Sequence, residues 1–500
     1  MKRKGAWALV AIAGAILAPA SAALGKTFEP TRKDDPAPGK CKPNDCSLRE
    51  AISAANARDG ADRVVLGNGR YRMEIPDSGN DDNASGDFDL TDEVSVVGKG
   101  PSRTTVDGAG VHRVFSLLTF SPHSLKGMTI RGGAAPGSIG GGVTIGPSDA
   151  TIENVIIKDN RASHGAGIHS VSTDLRLTGS TIKRNDATGR GGGLRLSAGV
   201  QVPLATIKST TIKENSAATG GGIDADATNV DIFTDEPQLT VSKSEIAGNF
   251  SDTFGGGIAS SSAMLIVKKT TIASNTAAEG AGIDLRPAPE LPITMIQAST
   301  ISGNTATNKA GGILADGNPY SGPDYPDEPD LSVLNSTIAG NTADNDAGGV
   351  MGDNEAMIDI ESSSIGFNVA NFDQTGTAVA GGVYQHSNAN FSVDDSVLAN
   401  NTVGQGGGDP DCSATQVFSG AGNVISSMTG CSVSFTEPFN SYSSAPIAEN
   451  LADNGGPTET MKLPAESSAI GFANTCPKSD QRGERRPNNC DSGSFENRPK

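Results

Sequence analysis

The sequence predicts an all-β chain wound as a right-handed parallel β-helix with an N-terminal capping helix. Three observations predict it: a phrase that recurs at spacings of 25 to 37 residues, alternating runs without helical period inside it, and a helix-capping signal ahead of it. The phrase is Ser/Thr-Thr-Ile-x-x-Asn-x-Ala, a gap, then Gly-Gly-Gly-Ile or a close variant. Its asparagines are Asn160, Asn185, Asn215, Asn249, Asn275, Asn304, Asn341, Asn368 and Asn401. A period that stretches without breaking is that of a solenoid whose insertions lie in loops.

Each unit reads as two short strands. Residues 331–338 alternate β-branched and polar side chains, and the glycine run opens a second strand after a turn that suits glycine. Three positions before each Asn stands Ile or Leu, and five before usually Ser or Thr. Both face inward at period two. Nine equivalent asparagines are too many for one ligand site, so they are expected to stack as an internal ladder about 4.8 Å apart. The glycine runs lack the following helix and Lys of a phosphate cradle. Leucine-rich repeats are excluded because they need Leu where this chain has Ser. Parallel crossovers favour the right-handed sense.

The first 22 residues read as a signal peptide: Lys2, Arg3 and Lys4, an apolar stretch over residues 6–17, then small residues for cleavage at Ala20 or Ala22. That stretch is shorter than the ~20 residues a membrane span needs. Secretion or cell-surface display is therefore expected, with no transmembrane helix in the mature chain. Residues 23–40 read as a flexible linker, 41–127 as a cap with the first coils, 128–411 as the repeats and 412–500 as a C-terminal region. Cys41/Cys46, Cys412/Cys431 and Cys476/Cys490 are expected to pair locally, although six cysteines permit about 15 pairings. No C-x-x-C or neighbouring His suggests a metal site, and no cofactor is implied.

Removing the signal takes three of 39 basic residues and none of 57 acidic ones, moving the formal charge from -18 to -21. Nucleic acid is excluded as a partner, and a polyuronate would meet net repulsion over most of the surface. The only Trp is Trp7, inside the signal, so stacking platforms are scarce.

Ser47 to Glu50 forms a capping box, and Leu48, Ile52 and Ala55 share one helical face, which suits plugging an open solenoid end. The string Cys46-Ser47-Leu48-Arg49-Glu50-Ala51, continued by Asp107-Gly108-Ala109-Gly110 and Arg113-Val114-Phe115, resembles the CSLREA-type N-terminal domain of bacterial exported proteins. The repeats resemble those of right-handed β-helix and polymorphic outer-membrane-like proteins. At the other end, Asn454-Gly455-Gly456-Pro457-Thr458, Asp480-Gln481-Arg482-Gly483, Arg486-Pro487 and Cys490-Asp491-Ser492-Gly493 resemble the choice-of-anchor Q domain. The resemblance covers nearly the whole mature chain and brings no catalytic residues with it. It implies an exported bacterial protein, and with no sorting motif before Lys500 covalent anchoring is not expected.

With the Ile, Leu or Val after each glycine run facing inward, the next residue faces out, giving the row His169, Arg195, Asp224, Ala259, Asp284, Leu314, Met351 and Tyr384. Two positions on, the row is Val171, Ser197, Asp226, Ser261, Arg286, Asp316, Asp353 and His386. The insertions 229–238, 286–292 and 316–330 follow this strand, and Tyr320 and Tyr325 ride on the longest. The leading reading of this acidic stripe is a solvated face on an adhesive or polymer-binding scaffold, whose partner is an extracellular polymer, glycan or surface protein. Asp316, Tyr320 and Tyr325 are its candidate ligand contacts. The alternative is a polysaccharide-degrading hydrolase or lyase using Asp224, Asp226, Asp284 and Arg286, with Asp224 and Asp284 two coils or about 9.6 Å apart. The carboxylates could equally hold Ca2+. Motif strings of pectate lyases and polygalacturonases are absent. The acidic stretches 81–93 and 324–330 lack EF-hand spacing and read as solvated turns, and His112 and His123 as structural or surface residues.

Overall fold

The computed structural model describes residues 25–79, 83–171, 174–199, 204–227, 239–286, 294–317, 330–373, 379–404, 410–414, 419–431, 441–442 and 447–497. The signal segment, Tyr320 and Tyr325 lie outside them.

One coil shows the plan. Asp174–Thr178, Thr181–Lys183, Asp186–Ala187 and Leu194–Ser197 are four short strands, each stacked in parallel on its counterpart in the next coil. The stacks form sheets I to IV, holding 13, 14, 10 and 12 strands among the described residues. The result is a right-handed parallel β-solenoid. Sheet I begins at Thr27–Phe28, ahead of the first coils expected in 41–127, and sheet II ends at Ser441–Tyr442.

Four strands per coil replace the two expected because the chain bends within each alternating run. Residues 331–338 are two strands, Leu331–Leu334 and Thr337–Ala339, parted by Asn335 at φ 47°. A left-handed residue followed by a buried polar one builds the I–II corner in coil after coil. There Ser180 N–H donates to Thr210 Oγ1, Thr210 N–H to Ser244 Oγ, Ser244 N–H to Thr270 Oγ1 and Thr270 N–H to Ser299 Oγ, making a hydroxyl ladder from the residues five before each Asn.

The II–III corner carries the asparagine ladder. From Asn160 to Asn401, each Nδ2 donates to Oδ1 of the next Asn at 2.8–3.0 Å, and that same Oδ1 accepts the preceding Asn's backbone N–H. From Asn185 on, Nδ2 also donates to an Ile carbonyl in the coil before. Every buried amide group thus has partners, as burial requires. Asp411 ends the stack, its carboxylate accepting from Asn401, Ser426 and the Ser427 N–H. Beside the ladder, Ile182, Ile212, Ile246, Ile272 and Ile301 fill the interior.

The helix Leu48–Asn56 has both halves of its capping box. Its Arg49 is buried, paired with Asp35 at 2.8 Å, and donates to the carbonyls of Gly86 and Asp87. These bonds tie the cap to the first coils. At the other end, residues 447–497 fold back along sheet II, where Ile447, Met461, Leu463 and Phe495 pack on Ala339, Val397 and Ala399. Disulfides join Cys41 to Cys46, Cys412 to Cys431 and Cys476 to Cys490. Cys412 lies in the last strand of sheet IV among the described residues, so its bridge stands within the solenoid rather than outside the repeats.

Candidate functional site

Register along sheet IV sets the acidic stripe. Thr144, His169, Arg195, Asp224, Ala259, Asp284, Leu314, Met351 and Tyr384 pair one above another, and Ser197, Asp226, Ser261 and Arg286 form the second row. From His169 on, the rows are those read from the sequence; their environment is not. Asp224 and Asp284 have 0% and 1% side-chain exposure, so the stripe is no solvated face.

A row of residues immediately before the glycine runs explains the burial. His164, Arg190, Phe254, Glu279 and Lys309 overhang sheet IV from the III–IV corner, and the glycines between fold tightly enough to touch the stripe. Gly220, at φ 65°, comes so close to Asp224 that an added Cβ would stand 2.6 Å from the Asp224 Cβ. A side chain there is unfavourable both in φ and in space.

The charges of the stripe are consumed within this seam. Arg190 donates from Nε to Asp224 Oδ1 at 3.1 Å and from Nη1 to Asp226 Oδ2 at 2.8 Å. Arg195 adds an ion pair from Nη1 to Asp224 Oδ2 at 3.3 Å, outside hydrogen-bond geometry, and donates from Nη2 to Asp226 Oδ2 at 3.4 Å. Two coils on, Arg286 pairs with Asp284 at 2.7 Å and Glu279 at 3.0 Å while lying 3.6 Å over the Phe254 ring. Ala259 separates the two clusters. Further along, Asp316 accepts from Asn354, and Asp353 from His386 at 2.6 Å.

Burial pushes the carboxyls of Asp224 and Asp284 up to about 6 despite their arginine neighbours. Desolvation of the charged form outweighs the attraction of the guanidinium groups. His169 is pushed down to about 3, first by burial and then by Arg195, so its ring is neutral at physiological pH. Burial likewise takes His123 down to about 4. His112 is raised by its bond to Asp87, which Ser116 and Arg113 also contact. Among the described residues no group of three or more His, Cys, Asp or Glu is arranged to hold a metal ion.

Arg190, Glu279 and Asp87 were not singled out from the sequence, and Arg113 only as part of a motif string. The signal for the first two was the position at the head of each glycine-rich turn, where His164, Arg190, Phe254, Glu279 and Lys309 stand with Thr219 among them.

The open surfaces lie elsewhere. On sheet I, Arg176 and Thr206 are exposed and Thr240 half-buried, lining a shallow depression of about 340 Å³ with Asp174. At the I–II corner an open groove of about 670 Å³ is lined by Ser209, Thr211, Lys243, Glu245, Lys269 and Thr271, among others, with Pro457 at one end.

A family model described as a right handed beta helix region matches residues 141–321. No curated protein matches. Among solved structures the chain is similar to pectate lyase Pel9A, at 11% identity and TM-score 0.34, covering 95% of this chain and 96% of that one. It is also similar to the A-module of the Azotobacter vinelandii mannuronan C-5 epimerase AlgE6, at 14% identity and TM-score 0.36, covering 76% of this chain and 95% of that one. Neither likeness brings an activity or a residue role to this chain.

Proposed function

We propose that this chain is an extracellular β-helix scaffold that holds a polymer or a neighbouring protein along its open sheets and performs no chemistry on it. The observation that carries this reading is the sealing of the sheet IV acids. Asp224 and Asp284 are buried and bound to arginines, whereas a general acid or nucleophile must reach the substrate atom it acts on. Export is supported by the signal-like residues 1–22, by the CSLREA-like cap and choice-of-anchor Q-like end, and by three cystines, which suit an oxidising compartment. No helix among the described residues is long and apolar enough to cross a membrane.

The second reading, a polysaccharide hydrolase or lyase, draws on one observation: carboxyls held near 6 are in the range useful for acid catalysis. Their lack of exposure argues against it. Incubating the mature chain and its Asp224→Asn/Asp284→Asn variant with a polysaccharide panel, and measuring reducing ends and unsaturated products, separates the two. The scaffold reading expects retention on a polymer with no products from either protein. Turnover by the parent that the variant lacks would overturn it.

A further inference from the structure

The net charge of -18 hides an uneven distribution. Along the I–II corner the coils place lysines in successive register. Lys208 ends the sheet I strand Leu204–Lys208, Ser242 pairs with it in the next coil, and Lys268 pairs with Ser242 in the one after. Lys243 and Lys269 occupy the left-handed corner positions that follow, each at φ 50°, and both are exposed. Around the corner on sheet II, Lys183 pairs in register with Lys213. Among the described residues Lys183, Lys208, Lys243, Lys268 and Lys269 form no ion pair, in contrast to the arginines of sheet IV, which are all engaged by acids of the seam. One carboxylate, Glu245, lies in the groove with Lys243 and Lys269, and Lys213 is shared with Glu214 at 3.7 Å.

We infer that this lysine ridge docks a linear anionic polysaccharide along the solenoid axis. The inference rests on the scaffold reading and names its ligand class. Charge complementarity carries it: a patch of unpaired cations creates a local positive potential whatever the total charge of the molecule. The repeat fits as well, because successive coils present cations and hydroxyls at multiples of about 4.8 Å, a spacing that a polymer with one charge per unit can follow. Ser209, Thr211, Ser242 and Thr271 supply hydroxyls between the lysines, chemistry suited to sugar hydroxyls. Among the described residues lining the groove none is aromatic and could stack a nucleobase, which favours a glycan over a single-stranded nucleic acid.

The test measures binding of the full mature chain to polygalacturonate, dextran sulfate, neutral dextran and single-stranded DNA by affinity electrophoresis, at about 50 and about 200 mM salt. Beside it run Lys208→Ser/Lys243→Ser/Lys269→Ser and, as a surface control, Lys99→Ser, each checked for an unchanged thermal transition. Expected is retention on an acidic polysaccharide that weakens with salt, falls about tenfold or more in the triple variant and is unchanged in the control. Undiminished binding by the folded triple variant, or DNA bound as well as the glycans, overturns the assignment. Retention on neutral dextran alone overturns the ridge but leaves the scaffold reading standing, and failure to bind any of the polymers overturns the ridge too. Product formation would instead sink the scaffold reading, whatever the lysine variant does.

Discussion

In the sheet II strands Ile156–Lys158, Thr181–Lys183 and Thr211–Lys213 only the central isoleucine is buried, whereas in Thr300–Ser302, Thr337–Ala339 and Ser364–Gly366 all three residues are. The inward isoleucine is common to both halves. What changes is the outward position at the strand end: Lys158, Lys183 and Lys213 in the open half become Ala339, Gly366 and Ala399 in the half that residues 447–497 cover. A solenoid coil thus specifies its inside by one set of positions and its partner by another, and the two can vary independently. Gln481 shows how the cover is fastened. Its Nε2 lies 2.9–3.1 Å from Ser299 O, Thr300 Oγ1, Thr458 Oγ1 and Glu459 O, and its Oε1 accepts from Thr337 Oγ1.

The strongest way to break the contrast is to give the covered half an open-half residue. A Cβ on Gly366 would stand 2.7 Å from the Ala399 carbonyl oxygen of the next coil and 2.9 Å from Met461 Cε, so Gly366→Lys forces both a clash and a charge under the cover. The expected cost is on the order of 3 kcal/mol or more, shared between the docked segment and the next coil. Limited proteolysis should then cut within 447–497 while the coils stay resistant. The reverse exchange, Lys183→Ala, should leave the melting curve within about 0.5 kcal/mol of the parent. Equal proteolytic resistance of parent and Gly366→Lys would remove the proposed division of labour.

The asparagine ladder runs through both halves and should be indifferent to the cover. Replacing Asn275 by Ala leaves the Asn249 backbone N–H without its acceptor, takes from Asn249 Nδ2 one of its two acceptors and removes the side-chain donor to the Ile246 carbonyl. With each orphaned buried group worth about 1–3 kcal/mol, a loss of about 3 kcal/mol is expected. Asn341→Ala, under the covered half, should cost the same within about 0.5 kcal/mol in urea unfolding. A much smaller loss at Asn341 would mean that the cover, and not the ladder, holds those coils.

These two features were unequally legible. The ladder could be read because the same side chain recurs at the same place in nine coils, and because Ile and Ser/Thr at fixed offsets give its surroundings. The stripe on sheet IV could be read in register but not in environment. Period-two alternation says which way a side chain leaves the strand, and it is silent on whether another corner of the coil folds over it. Arg190 reaches Asp224 and Asp226 from 34 and 36 residues away, a contact fixed by coil length and the glycine turn rather than by any local pattern. The two sheets in the alternating run were missed for a related reason: Lys243, Lys269 and Asn335 hold left-handed corners that carry no glycine to mark them. Net charge concealed the lysine ridge because averaging discards position.

Protonation probes the seam that the cover does not touch. In the folded state Asp284 is raised to about 6, against an ordinary carboxyl near 3.8. A raised folded value means that its stabilising contribution is complete below the unfolded pKa and is lost as pH climbs through 6. Between pH 7 and pH 5 the parent should therefore gain about 1 kcal/mol from this group, and Asp284→Asn should lack that gain. Urea midpoints of the two proteins at both pH values read the difference directly. A parent that gains no more than the variant would show that Arg286 keeps the carboxylate charged throughout.

The smallest effect isolates the corner itself. Gly303 and Ser274 occupy the same position in adjacent coils, at φ 60° and 55°. A Cβ on Gly303 would meet nothing nearer than Ser274 Oγ at 3.8 Å, so Gly303→Ala changes backbone strain without a clash. It should cost about 1 kcal/mol, since the left-handed region disfavours a Cβ by roughly that amount. Ser274→Gly should return about half as much, because relief of strain is partly offset by the greater freedom glycine gives the unfolded chain. Thermal melts of both variants measure this pair. If Ser274→Gly destabilised instead, the Ser274 side chain would have to contribute a contact that outweighs its strain, and the corner would then be specified by its side chain as well as by its backbone.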